Sequence, residues 1–153
     1  MLYIVSDHRG FALNKKINEF LTTAKIPFKD IDNNTHDPDD DIPVFAARVA
    51  SRISKNPNKD FGITICGTGA GACIACNKFK NVRASVCLTV NMAKQAKEHL
   101  NTNVLCLASD ITEPSVAWMI VKKWLSTKVS QKSRYQTRLK QIKEIEKNNF
   151  KNI

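Results

Sequence analysis

The chain has 153 residues, of which 42% are hydrophobic and 25% charged. One domain of this size buries a core without disulfides or a structural metal, and no apolar run approaches the ~18 residues that span a bilayer. The formal net charge of +10 favours anionic partners, either phosphorylated metabolites or nucleic acid.

The first residues, Met-Leu-Tyr-Ile-Val-Ser-Asp-His, lack the basic start and long apolar stretch of a signal peptide. Five cysteines, an odd number in apolar or turn contexts, fit free thiols in a reducing compartment. A cytoplasmic protein with no membrane partner is expected.

Taken in order, Leu2 to Val5 is a short apolar run with β-branched members and reads as a strand. Ser6-Asp7-His8-Arg9-Gly10 is a turn. Phe11 to Ala24 carries Leu13, Ile17, Phe20 and Leu21 on one helical stripe. Pro27 separates it from a weak second strand, Phe28 to Ile31. Asp32 to Asp41 is a polar loop, and Ile42-Pro43 opens a second helix whose stripe is Phe45, Ala46, Val49, Ala50 and Ile53.

Phe61 to Ile65 reads as a buried strand. It runs into Cys66-Gly-Thr-Gly-Ala-Gly71 and a helix from about Ala70 to Asn77. Arg83 to Leu88 is a fourth strand, Asn91 to His99 a helix with Asn91 as its cap, and Asn103 to Leu107 a fifth strand. Thr112-Glu113-Pro114 starts an apolar helix through Trp118 and Trp124. A last helix, from about Ser133 to Lys147, carries Tyr135, Leu139, Ile142 and Ile145 at helical spacing.

Strands alternating with helices predict a three-layer αβα domain over residues 1–153, a five-stranded parallel, doubly wound sheet of the Rossmann or flavodoxin type. The C-terminal helix, about 133–149, is surplus to five such units, and a partner subunit is a candidate for covering its stripe. From Lys128 onward eight basic residues face two acidic ones, Glu144 and Glu146. Few aromatics interleave with them, so no nucleic-acid partner is expected.

In such sheets ligands bind beyond the carboxyl ends of the strands. Asp7 and His8 follow the first strand; Cys66, Gly67, Thr68, Gly69 and Gly71 follow the third; Asp110 follows the fifth. His99 and Asn101 precede the fifth strand and are expected close to this edge or its approach. The glycine turn lacks the Lys-Ser/Thr of a P-loop and the spacing and later acid of a dinucleotide fingerprint. It suits an anion or oxyanion, or merely allows a tight strand-to-helix turn. Cys66 at a helix start is either a base favoured as thiolate there or a small buried hydrophobe.

Cys73-Ile-Ala-Cys76 lies in a helix with no second pair at zinc spacing and reads as core, as do Cys87 and Cys106. The run Asp37-Pro-Asp-Asp-Asp41 lacks the Gly and Glu of a calcium loop, Arg48 standing where the Glu belongs. No metal is expected. Arg134 and Arg138, four apart, share one helix face, as a phosphate clamp or a solvated basic face.

Four stretches then stand out together: Ser-Asp-His-x-Gly-Phe, Ile-Cys-Gly-Thr-Gly-x-Gly, Asn-Lys-Phe-x-x-Val-Arg-Ala and Glu-His-x-Asn-Thr-Asn-Val-Leu. In this order and spacing they resemble the type B ribose-5-phosphate isomerases, in the superfamily that includes the galactose-6-phosphate isomerase subunits. The resemblance runs from about Tyr3 to about Lys147. It implies a dimer or tetramer, homomeric or heteromeric, with active sites built from two subunits. It also implies interconversion of ribose 5-phosphate and ribulose 5-phosphate through a cis-enediolate, with no cofactor.

On the matching positions Cys66 is the base, Thr68 and the amides of Gly67 to Gly71 hold the enediolate oxygen, and Asp7 and His99 assist ring opening. His8, Arg134 and Arg138 bind the phosphate, and Asn101 counts among the substrate-binding residues. Four positions depart from the pattern: Ile42 replaces a Tyr, Leu100 an Asn, Asp110 an Arg, and Tyr135 a His. The alternatives are an isomerase subunit for another sugar phosphate, such as galactose 6-phosphate, and a non-catalytic sugar-phosphate binder.

Overall fold

The computed structural model describes residues 1–31 and 38–150; residues 32–37, the first part of the acidic loop, lie outside them. Five strands, Leu2–Ser6 (β1), Phe28–Asp30 (β2), Phe61–Cys66 (β3), Ala84–Val86 (β4) and Val104–Ala108 (β5), pair in parallel in the order β2-β1-β3-β5-β4. Between and after them run helices Phe11–Thr23 (α1), Ile42–Lys55 (α2), Ala70–Cys76 (α3), Val90–Leu100 (α4), Pro114–Ser126 (α5) and Ser133–Asn149 (α6). The expected αβα architecture is present.

The central strands are apolar at nearly every position because both their faces are covered. One face buries Ile4, Ile63, Ile65, Leu105 and Leu107 against Leu13 and Ile17 of α1, Ala93 of α4 and Ile120 and Trp124 of α5. The other buries Val5, Val104 and Cys106 against Val49 and Ile53 of α2 and Ala72 and Cys76 of α3. Each fully buried Ile, Leu or Val contributes about 1.5–3 kcal/mol by leaving water, so the two apolar layers carry the fold. Trp124 is fully buried and satisfies its indole N–H on Thr102 Oγ1 at 2.8 Å.

Lys97 is buried too. Its ammonium donates to the Thr102 carbonyl at 3.0 Å and lies 4.3 Å from the centre of the Phe61 ring. Burial, with Arg83 nearby, pulls its pKa down to about 8.

Local details differ from the sequence reading. The cap of α4 is Thr89, not Asn91: its hydroxyl accepts the Met92 N–H at 3.1 Å, and a hydroxyl just before the helix reaches that donor. β4 is three residues long; at its start Arg83 gives its N–H to the Asn103 side chain instead of to a strand. β3 extends through Cys66, which pairs with Ala108 of β5. Of the thiols read as core, Cys76, Cys87 and Cys106 are buried and Cys73 is half-buried.

Parallel strands put all carboxyl ends at one edge of the sheet. Each following helix returns the chain to the amino edge, so Leu100 at the end of α4 stands opposite Cys66. α6 has no buried residue. The segment before it is tied to α4, where Ser130 donates its N–H to Glu98 O at 2.8 Å, and in its first turn the Tyr135 ring stacks on His99. Farther along, Ile145 is 61% exposed, so its own chain leaves much of the stripe of α6 uncovered.

Candidate active site

β3 delivers Cys66 to the carboxyl edge and pins it there. The Cys66 carbonyl accepts the Ser109 N–H at 2.9 Å and its hydroxyl at 3.2 Å, and the Gly67 carbonyl accepts the Asp110 N–H at 3.0 Å. The side chain is 4% exposed, with its backbone held on β5. The chain then turns sharply. Gly69 has φ +76°, a conformation that strains any residue with a Cβ, and it starts α3. The first-turn N–H groups of α3 have no acceptor within the helix. Thr68 is exposed beside them, its hydroxyl 3.4 Å from the Ala70 N–H. Cys66, Gly67, Thr68, Gly69 and Gly71 thus form one thiol-and-donor corner.

β1 ends alongside. Asp7 is buried and accepts the Gly10 N–H at 2.9 Å. Burial raises its pKa, and the Gly10 bond only partly opposes this. Such a carboxyl holds a proton at higher pH than a solvated aspartate, which suits it to proton exchange.

Beside it, Asp40 accepts both the backbone N–H of His8, at 2.9 Å, and ring Nδ1, at 2.8 Å. That hydrogen bond raises the His8 pKa above its ordinary 6.5. The raised value means that the stabilising charge is fully present below the unfolded pKa and lost as pH rises through the folded one. In an NMR titration His8 is expected to titrate above 6.5 and to fall back in Asp40→Asn. An unchanged midpoint in that variant would remove Asp40 as the cause.

Two residues here were missed by sequence reasoning. Asp40 reads in the sequence only as part of the polar loop, and nothing local marks which histidine it reaches. Arg9 was passed over inside its turn, although it directly follows Asp7 and His8. It donates Nη2–H to Asp110 Oδ2, which pairs the charge that departs from the family pattern. Ile42 lies close to Gly71: a Cβ there would sit 3.4 Å from the Ile42 methyl.

The remaining expected residues are elsewhere. His99, Asn101, Arg134 and Arg138 belong to the amino edge of the same chain, roughly 13 Å of β5 away from the Cys66 end. The expectation that His99 and Asn101 lie close to the carboxyl edge or its approach is therefore corrected: α4 runs back against the strands and carries both to the amino edge. His99 stacks on Tyr135 with ring centres 4.0 Å apart. Asn101 adopts φ +46° as the cap of α4, a left-handed cap position that Asn tolerates well, and its carbonyl accepts the Arg83 Nε–H at 2.9 Å. Arg134 and Arg138 are exposed on the turns flanking Tyr135. Two cavities, of about 380 and 250 Å³, also open at this edge, under Ile142 and Glu146 of α6. One copy of the chain thus carries the expected site residues in two groups, at opposite edges of the sheet.

Known proteins match along nearly the whole chain. The ribose/galactose isomerase family model matches residues 2–142. Ribose-5-phosphate isomerase B of Escherichia coli is 37% identical over 141 residues, 92% of each chain. The crystal structure of ribose-5-phosphate isomerase B from Mycoplasma genitalium with bound ribulose 5-phosphate superposes with a TM-score of 0.91 at 41% identity, covering 95% of each chain. That of the Clostridium thermocellum enzyme gives 0.86 at 37% identity, covering 97% of this chain and 98% of that one. With sequence and backbone agreeing over that length, the chain belongs to the ribose/galactose isomerase family.

Proposed function

We propose that the chain is a cytoplasmic aldose–ketose isomerase that interconverts ribose 5-phosphate and ribulose 5-phosphate. The observation that carries this reading is Cys66 fixed at the end of β3 beside the Gly67–Gly71 turn, in a chain 41% identical to a relative solved with ribulose 5-phosphate bound. Five free thiols support a reducing compartment.

Asp7 and His99 exchange protons with the ring oxygen and the anomeric hydroxyl, and the sugar opens to its aldehyde. Cys66, as thiolate, takes the proton from C2. The C–H electron pair forms the C1–C2 double bond, and negative charge moves to O1. The Thr68 hydroxyl and the turn amides hold that oxygen, a stabilisation made where charge develops. A proton passes from O2 to O1, and Cys66 returns its proton to C1, giving the ketose. Nothing is oxidised or reduced overall, so no redox cofactor is required.

His8 on one side and Arg134 and Arg138 on the other hold the phosphate. Their separation at opposite edges supports a site completed by a second copy. His99, Asn101, Arg134 and Arg138 of that copy then face Cys66, and the exposed stripe of α6 supplies part of the contact.

A coupled assay on purified protein tests the reading, with ribose 5-phosphate expected to turn over. Folded protein that turns over galactose 6-phosphate instead would move the substrate; turnover of neither would overturn the reading.

A further inference from the structure

Among the described residues, Arg9 and Asp110 form a charged pair at the carboxyl edge for which the proposed mechanism has no use. The pair sits directly over the glycine turn. A Cβ on Gly67 would lie 2.6 Å from Arg9 Cζ, 2.7 Å from Arg9 Nε and 2.8 Å from Asp110 Oδ2. The glycine therefore leaves the space that the guanidinium and carboxylate occupy, next in sequence to Cys66. Asp110 is itself fixed, because its N–H donates to the Gly67 carbonyl at 3.0 Å. Arg9 follows His8, whose ring is braced by Asp40.

The bond to Asp110 uses Nη2 of Arg9. A guanidinium has five N–H donors in a rigid fork, so Nε and Nη1 remain for an incoming acceptor. With side chains 55% and 36% exposed, the pair is within reach of a ligand from solvent. A pair so exposed adds little to folding stability.

We propose that Arg9 is a substrate-binding residue that contacts the phosphate of the sugar phosphate from the Cys66-bearing copy, and that Asp110 is a positioning residue that holds Arg9 over Gly67. The assignment rests on the isomerase reading for its ligand. It gives the carboxyl edge an arginine of its own beside His8, where Asp110 alone would repel a dianion. It also turns the acidic residue at position 110 from an obstacle into a support.

Opposite signs separate these two roles of Asp110. An acid that merely opposes the phosphate would, on removal, tighten binding. An acid that orients Arg9 would, on removal, loosen it.

Titration calorimetry with ribose 5-phosphate and with inorganic phosphate, on the wild type, Arg9→Ala, Asp110→Ala, Asp110→Glu and the double alanine variant, tests the proposal. Arg9→Ala is expected to weaken both ligands by on the order of tenfold or more. Asp110→Ala is expected to weaken them less, Asp110→Glu to restore part of the loss, and the double variant to match Arg9→Ala, because the two act as one unit. Unchanged affinity in Arg9→Ala, tighter binding in Asp110→Ala, or no measurable binding by the wild type overturns it. Turnover measured alongside separates the two claims. Inactive wild type with the expected binding losses sinks the isomerase reading alone, and active wild type with an indifferent Arg9→Ala sinks the clamp alone.

Discussion

Cys66→Ala is expected to lower turnover of ribose 5-phosphate by about three orders of magnitude or more, with unchanged circular dichroism and a small shift in unfolding midpoint. Both parts follow from how the residue is held. Its hydrogen bonds are made by its backbone, whose carbonyl accepts two from Ser109, and alanine keeps them together with the Cβ that packs in the cluster of Val5, Ala46 and Ala72. What leaves is one sulfur from a buried corner, a loss of about 1 kcal/mol at most for so small a cavity. What leaves chemically is the group proposed to move the proton between C2 and C1. Cys66→Ser is the milder variant: the hydroxyl fits, yet it is a far weaker acid and so a poorer source of the basic form. Full activity in the alanine variant would assign the base to another residue.

His99→Asn is expected to lower turnover by about 100- to 1,000-fold, the usual contribution of a positioned acid–base group. The loss is expected although His99 stands at the amino edge of its own chain, stacked on Tyr135. If His99 were only a partner for that ring, the substitution would soften the junction of α4 and α6 and leave the rate near normal. A substrate already open at the ring distinguishes a ring-opening role. An acyclic analogue is expected to bind to His99→Asn nearly as well as to the wild type.

The fold was legible because apolar runs and helical stripes alternate cleanly along the chain, and turn residues separate them. The chemical corner was legible for the same reason: a cysteine at a strand end followed by glycines is a local pattern. Gly69 shows why such patterns are readable, since its left-handed backbone needs the residue type that the sequence supplies.

The partners of Asp40 and Asp110 were not legible. The His8–Asp40 and Arg9–Asp110 pairs join residues 32 and 101 positions apart, and no local periodicity encodes such meetings. The placement of His99 failed for a different reason. Proximity to β5 in sequence was read as proximity to its carboxyl end, whereas the residues before a parallel strand lie at its amino end. Lys97 was hidden because a lysine among polar helix residues reads as exposed, and only packing against Phe61 and Trp124 sinks it.

The most direct test is complementation between two chains, each inactive by itself. Cys66→Ala and His99→Asn proteins, coexpressed and purified together, pair at random. A site that takes Cys66 from one copy and His99 from the other is intact once in every mixed dimer. The recovered specific activity is then predicted to be about a quarter of the wild-type value. Activity no greater than the sum of the two separate variants would contradict the shared site and place both residues in the service of a single chain.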